Sequence, residues 1–374
     1  MADAVAYHRR LMAFPIPPPI EPMLAKPTPE LPVGEGWRYE PKWDGFRALV
    51  FRDGQEVYLQ SRDLKPLDRY FPELIEPIRA VGGPSARFVL DGEIVIARDG
   101  GLEFESLLLR IHPAASRVKM LAAEMPSSFV AFDCLADGDD DLRDAPLDDR
   151  RARLEAVMSD APESVLLTPA TADPAMARHW FDVFEGAGLD GVIAKRWDLR
   201  YLPGKREMAK IKHLRTADCV VAGFRWHKNG PGTLIGSLLL GLWNSSGQLQ
   251  HVGVTSSFTA VKRAELVPFL EPYRKDALKD HPWKEWREWE ESAAASGRRL
   301  PGATSRWNRG KDLSWEPLRP ELVCEVAFDH LQGDRFRHGT TFKRWRPDKP
   351  PSECRYDQLE ETPAALLADL FGGR

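Results

Sequence analysis

Lys42-Trp43-Asp44-Gly45-Phe46-Arg47 is the stretch on which the reading of this chain turns. A lysine is a nucleophile only while its amine is neutral, and nearby cations or burial can lower its pKa enough to supply that form. Glu40 precedes Lys42 on the same strand face, and Arg47 falls on what reads as the next strand. Alone, the hexapeptide reads equally well as a turn between strands, because short motifs match by chance.

Outward from it the pattern is mixed. Residues 46–51 and 56–60 flank Asp53-Gly54, a hairpin dipeptide. A helix is predicted over 69–81, with Phe71, Leu74, Ile75, Ile78 and Val81 on one face. Strands follow at 88–97, around Asp91-Gly92, at 129–132 and at 192–195, and the acidic run 137–141 reads as a solvated loop. Helices are predicted over 148–158 and from Asp173-Pro174 to the glycines Gly186 and Gly188. Upstream, residues 11–36 carry Pro15, Pro17, Pro18, Pro19, Pro22, Pro27, Pro29 and Pro32, which favours an extended arm lying over a domain.

After Arg215 the texture changes. Strand-like runs at 220–225, 237–243, 250–255, 323–328 and 340–345, separated by glycine-bearing turns, suggest a small barrel of the OB kind. It carries a helical insertion with an amphipathic segment at 264–277 and with Trp283, Trp286 and Trp289 on a polar stretch. Packing against the barrel is the favoured role for these tryptophans, ahead of base stacking. A terminal helix is predicted over 362–371, with Thr362 as cap and Pro363 in its first turn. The expected fold is α+β: a mixed-sheet domain over 1–213, then an OB-fold domain over 214–374.

Composition narrows the function classes. A chain of 374 residues fits two domains, and 43% hydrophobic with 29% charged residues is globular, not disordered or fibrous. Cys134, Cys219, Cys324 and Cys354 are scattered with no CxxC pair, which argues against a zinc cluster or a disulfide framework. Reduced, buried thiols are expected. The opening MADAVAYHRRLMAFP has no signal-like apolar run and no segment approaches membrane-spanning length, so a soluble, cytoplasmic protein is expected. The net charge of −4 excludes a uniformly basic surface, so any grip on nucleic acid must be local. Basic residues do cluster, at Lys195, Arg196, Arg200, Lys205, Arg206, Lys210, Lys212 and Arg215, and again at Arg335, Arg337, Lys343, Arg344, Arg346 and Lys349. Each cluster contains a motif, which favours phosphate binding over a merely solvated face.

The lysine hexapeptide is one of a series: Ser61-Arg62, Leu90-Asp91-Gly92-Glu93, Phe132-Asp133, Asp190-Gly191-Val192-Ile193-Ala194-Lys195, Lys210-Ile211-Lys212 and Arg346-Pro347-Asp348-Lys349. In order and content, from Glu40 to Lys349, the series resembles the covalent nucleotidyltransferase superfamily of DNA ligases, RNA ligases and mRNA capping enzymes. In size it looks most like the compact bacterial ATP-dependent DNA ligases of the type called ligase C. The resemblance implies a nucleotidyltransferase (ATP-grasp-like) domain followed by the barrel. It implies ATP and Mg²⁺ (or Mn²⁺) as cofactors and nicked double-stranded DNA as substrate. It further implies a monomer associated with the nucleoid, working in repair beside a separate polymerase.

Residue roles follow from the resemblance. Lys42 would attack the α-phosphate of ATP and hold AMP as a phosphoramidate. Glu40 would help seat the adenine and Phe132 stack on it. Arg47 and Arg62 would contact the ribose or the 5′-phosphate at the nick. Glu93 and Asp190 would face the metal, as carboxylates suit a hard cation. Lys195, Lys210 and Lys212 would neutralise the α-phosphate as charge builds. Asp348 and Lys349 would act over the pyrophosphate, supported by Arg346. The family usually places glutamate where this chain has Asp190, one methylene shorter, which puts direct metal contact at that position in question.

Two other readings stand beside this one. An RNA ligase or a capping guanylyltransferase uses the same lysine chemistry, and ATP against GTP labelling separates them. A non-catalytic DNA-binding scaffold is opposed by the presence of Lys42, Glu93 and Lys212, and labelled ATP with magnesium tests it. NAD⁺ is not the expected donor, because neither the extra N-terminal domain nor the four-cysteine element of those ligases is seen.

Overall fold

A computed structural model describes residues 15–213, 215–285, 314–329 and 331–359. The chain divides into two compact units between Lys212 and His213.

In chain order the first unit contains β1 (Leu24–Pro27), β2 (Trp37–Pro41), β3 (Phe46–Asp53), β4 (Glu56–Ser61), β5 (Arg87–Val95), β6 (Ala97–Arg98), β7 (Gly101–Leu102), β8 (Ser128–Asp137), β9 (Asp140–Asp141), β10 (Val165–Leu167), β11 (Val192–Arg196) and β12 (Arg206–Ile211). One sheet has the order β1-β12-β11-β2. The other has the order β10-β8-β5-β3-β4, with β9 paired to β8, and β6 and β7 form a small hairpin of their own.

The second sheet is covered on both faces, which is why β3, β5 and β8 read as nearly continuous apolar runs. Side chains alternate along a strand. Ala48, Val50 and Leu90 therefore pack with Phe71, Leu74 and Ile78 on one side. Leu49, Phe51 and Val89 pack with Ile16, Ile20 and Met23 on the other. The proline-rich segment thus lies over the domain as expected, pinned where the Gln60 amide donates to the Ile20 carbonyl at 2.6 Å and accepts the Ile20 N–H at 3.0 Å.

The helix expected over 69–81 is broken. Two 3₁₀ turns, Asp68–Tyr70 and Pro72–Leu74, precede a short helix Ile75–Ala80. Pro72 is the physical reason. A residue before proline is driven out of the helical region, and Phe71 has φ −132° and ψ 55°. The apolar set survives the break, since Phe71, Leu74, Ile78 and Val81 are all buried. Asp173 caps the helix Pro174–Val183 by accepting from the Ala175 N–H, as the sequence predicts. Strand β8 runs five residues beyond the expected 129–132 and turns through the acidic stretch into β9. The helices Phe104–Arg110 and Ala115–Glu124 were not anticipated.

The second unit contains β13 (Arg215–Trp226), β14 (Ile235–Trp243), β15 (Leu249–Thr255), β16 (Glu316–Phe328), β17 (Leu331–Gln332), β18 (Arg335–Phe336) and β19 (Thr341–Trp345). All five expected strands are present, four of them longer than predicted and β19 one residue shorter, in an antiparallel OB-type sheet ordered β15-β14-β13-β16-β19. Among the described residues no ladder closes it into a barrel. Among the described residues its edges meet at an isolated bridge, Thr255 to Thr340. The helix Ala260–Arg274 buries Leu266 and Leu270. Trp283 is fully buried, and its indole donates to the Leu249 carbonyl at 2.8 Å, the packing role expected for it. Trp286, Trp289 and the helix expected over 362–371 lie outside the described residues. All four cysteines are buried and free. No described helix is long and apolar enough to cross a membrane.

Candidate active site

Strand register explains why lysines spaced by two matter. Glu40 on β2 and Lys210 on β12 both lie opposite Ile193 on β11, so the three form one row across the sheet. Alternation then continues the same face through Lys195 and towards Lys42 and Lys212. Beyond β2 the backbone is stitched to the Asp190-Gly191 turn. The Lys42 N–H donates to the Gly191 carbonyl at 2.8 Å and the Asp190 N–H to the Lys42 carbonyl at 2.9 Å. Gly191 has φ +120°, and a Cβ there would collide with the Ile211 carbonyl, so this approach requires glycine. Trp43 is buried and donates to the Thr168 hydroxyl at 2.8 Å, which anchors the loop behind the lysine.

One carboxylate organises the reactive end. Asp190, 5% exposed, pairs through Oδ2 with the Lys42 ammonium and, at 2.6 Å, with that of Lys212. Lys210 is half-buried nearby. Burial first, then repulsion from Lys212 and Lys42, holds it below the ordinary lysine value against the pull of Asp190. Lys195 is almost fully buried and pairs instead with Glu40 at 2.7 Å. These are diagonal neighbours on the shared face.

Phe132 is the one half-exposed position inside the buried run of β8. The Arg47 guanidinium lies 4.4 Å from its ring centroid and the Lys195 ammonium 5.0 Å away, both within cation–π range. Arg47 is clamped by the fully buried Asp91 through two hydrogen bonds of 2.5 and 2.6 Å. Burial opposes the Arg47 charge, and Asp91 more than offsets it, so its pKa lies above the ordinary value. Arg62 is exposed just past Ser61, which pairs with Ala48, so it sits at the Arg47 end of β4.

Glu93 lies opposite Arg47 in the β3–β5 ladder and accepts the Gly45 N–H at 3.1 Å. Gly45 can come this close because it has no side chain; a Cβ would strike the Ile94 carbonyl. Burial pushes Glu93 up to about 7, against the pull of Arg47 and Lys42 and with Asp44 adding to the rise. A half-buried carboxylate that the nearby cations do not hold down fits a divalent cation. Asp190, which already serves two ammonium groups, does not offer the same vacancy in this arrangement. Among the described residues no three His, Cys, Asp or Glu side chains converge as a ready-made metal cage.

In the second unit, Arg346, Asp348 and Lys349 form their own cluster. Arg346 donates to Asp348 through Nε and Nη2, at 2.8 to 3.1 Å, and through Nη1 to Asp218 at 2.8 and 2.9 Å. Lys349 reaches Asp218 at 3.1 Å. The hydrogen bonds from Arg346 hold Asp348 down at about 2.

Reading the sequence missed three groups that organise this chemistry. Asp91 belongs to the motif series with no role attached to it, yet a carboxylate inside FVLDGEIV demands a buried partner, and that is a signal the sequence carries. Tyr201, which donates to Asp91 at 2.6 Å and accepts the Met23 N–H at 3.0 Å, gave no local signal. Asp218 also lies within an apolar run, TADCVVAGF, and was passed over. Asp133 is a buried clamp for Arg150, at 2.7 and 3.0 Å.

Comparison with known proteins agrees with this geometry. Residues 22–212 match the model of the ATP dependent DNA ligase domain, and residues 231–349 that of the ATP dependent DNA ligase C terminal region. The chain belongs to the ATP-dependent DNA ligase family. It is 53% identical over 368 residues to DNA ligase C of Mycobacterium tuberculosis, covering 97% of this chain and 99% of that one. It is 52% identical over 371 residues to DNA ligase C1 of Mycolicibacterium smegmatis, covering 96% and 98%. A solved Lig E DNA ligase shares the fold, with TM-score 0.53 and 16% identity, over 87% of this chain and 99% of that one. The protein is a compact bacterial ATP-dependent DNA ligase.

Proposed function

We propose that this ATP-dependent DNA ligase joins a 3′-hydroxyl to a 5′-phosphate at nicks in duplex DNA, with Lys42 carrying AMP as a phosphoramidate. The observation that carries the reading is the single Asp190 carboxylate shared by Lys42 and Lys212. An ammonium has no lone pair, so Lys42 must lose a proton before it attacks phosphorus. Asp190 is the group in contact to take it. The Lys42 nitrogen then bonds the α-phosphorus of ATP and the bond to pyrophosphate breaks. In-line transfer at phosphorus depends on positioning and charge neutralisation more than on acid–base groups. Lys210 and Lys212 supply positive charge beside the nucleophile, and Lys195 supplies it beside Phe132.

Phe132 offers the adenine a flat apolar surface, with Glu40 next to it through Lys195. Arg47 and Arg62 meet the ribose or the nick phosphate. Glu93 would hold Mg²⁺, which would supply charge neutralisation at phosphate. Asp348 and Lys349 act on the departing pyrophosphate, with Arg346 holding Asp348. DNA is gripped through phosphate, so binding weakens steeply with salt and shows little sequence preference. A repair role beside a separate polymerase is the setting we infer from the ligase C relatives.

The test is mass spectrometry of the protein incubated with ATP and magnesium. The wild type is expected to gain one adenylate on Lys42. A folded sample that joins nicks yet never gains it ends the reading.

A further inference from the structure

The second unit contains an acid that neither the motif series nor the family roles account for. Asp218 is the fourth residue of β13, is 8% exposed, and faces Glu325 of β16 in the ladder. The Gln358 side chain holds its backbone. The Asp218 N–H donates to the Gln358 amide oxygen at 2.8 Å, and the amide nitrogen donates back to the Asp218 carbonyl at 3.1 Å. A nearly buried carboxylate on a strand paired to β16, with its backbone on the other side clasped by Gln358, is a rigid anchor.

Two cations converge on it with unequal hold. Arg346 makes two hydrogen bonds from one nitrogen, and its backbone N–H donates to the Val323 carbonyl at 2.9 Å. Lys349 makes a single contact at 3.1 Å. The remaining edge of the Arg346 guanidinium grips Asp348, whose side chain is 61% exposed. The order is therefore buried acid, arginine, presented acid, with a lysine attached by one bond.

We propose that Asp218 is a positioning residue for the first step of ligation. It fixes the Arg346 plane, and through it the direction in which Asp348 is presented. It also stores Lys349 on a carboxylate that an incoming polyphosphate can displace. The proposal rests on the reading that Asp348 and Lys349 serve lysine adenylylation. Asp218 itself need not touch the nucleotide. Its loss should therefore slow adenylylation and leave the later chemistry alone.

The test compares two rates in the full-length protein: formation of lysyl-AMP from ATP, and sealing of a nick already carrying 5′-adenylate. Asp218→Asn keeps the size and removes the charge. It is expected to lower the first rate roughly hundredfold, the usual cost of misplacing a catalytic group by about an ångström, with the second rate unchanged. Asp218→Glu, which keeps the charge, is expected to recover part of the first rate. The ratio of the two rates is read in each sample, so partial unfolding cancels. Equal loss of both rates, no loss of either, or identical behaviour of the Asn and Glu variants overturns the proposal. Asp348→Ala is run alongside. If it loses adenylylation while Asp218→Asn does not, Asp218 alone is misassigned. If Asp348→Ala retains adenylylation, the reading of the terminal motif fails and the proposal with it.

Discussion

Asp190 in the first unit and Asp218 in the second solve the same electrostatic problem with different consequences. Each is an almost buried aspartate holding two cations, Lys42 and Lys212 in one case, Arg346 and Lys349 in the other. Burying a carboxylate is costly unless paired, so each site keeps cations beside its acid. At Asp190 both partners are lysines, and one of them must shed a proton to react. At Asp218 the better-held partner is an arginine, which keeps its charge under all ordinary conditions. The first aspartate therefore faces a partner that changes chemical state, and the second faces a fixed charge that can only be aimed. The difference separates a reacting centre from a positioning one.

Substitutions at the first site should break this contrast most visibly. Lys42→Ala is expected to abolish lysyl-AMP, read by mass spectrometry, and with it all sealing from ATP. Lys212→Ala, which removes the other partner of the same carboxylate, is expected to slow adenylylation without abolishing it. If the two variants behave alike, Asp190 does not discriminate between its cations and the contrast with Asp218 collapses. Next in size, Asp190→Ala is expected to abolish nick sealing and Asp190→Glu to retain it, measured on a labelled nicked duplex. Wild-type sealing by the alanine variant would remove Asp190 from the mechanism altogether.

How much of this was legible follows from the same residues. Alternation is a local property of strands, so the spacing of Glu40 and Lys42 carried their shared face, whereas the placing of Lys195, Lys210 and Lys212 beside them comes from the pairing of β2, β11 and β12. The five strands of the second unit were likewise visible from local pattern, though the lack of a closing ladder among the described residues was not. The break at Pro72 was visible in principle, since proline constrains the residue before it, but the apolar period of 3.6 outweighed it in the reading. What could not be read is pairing across long separations. Asp91 with Arg47 and Tyr201, 44 and 110 residues apart, and Asp218 with Arg346, 128 apart, are brought together by sheet order alone. No single-sequence period reports them. Only the presence of a carboxylate in an apolar strand hints that a partner exists.

The smallest expected effect concerns the carboxylate that neither lysine nor arginine satisfies. Glu93 is pushed up to about 7 by burial, although Arg47 and Lys42 pull the other way. A raised carboxylate pKa means that the folded protein holds a proton there below about pH 7 and releases it above. A metal needs the ionised form, so proton and metal compete. The apparent Mg²⁺ affinity in lysyl-AMP formation should therefore weaken about tenfold per pH unit as pH falls below 7, and level off above it. Magnesium titrations of adenylylation at pH 6, 7 and 8 read the effect, and Glu93→Gln is expected to flatten the dependence while raising the magnesium requirement throughout. A slope that persists in Glu93→Gln but disappears in Asp190→Glu would transfer the metal to Asp190. The first site would then differ from the second not by the reactivity of its lysine but by sharing its carboxylate with a third cation.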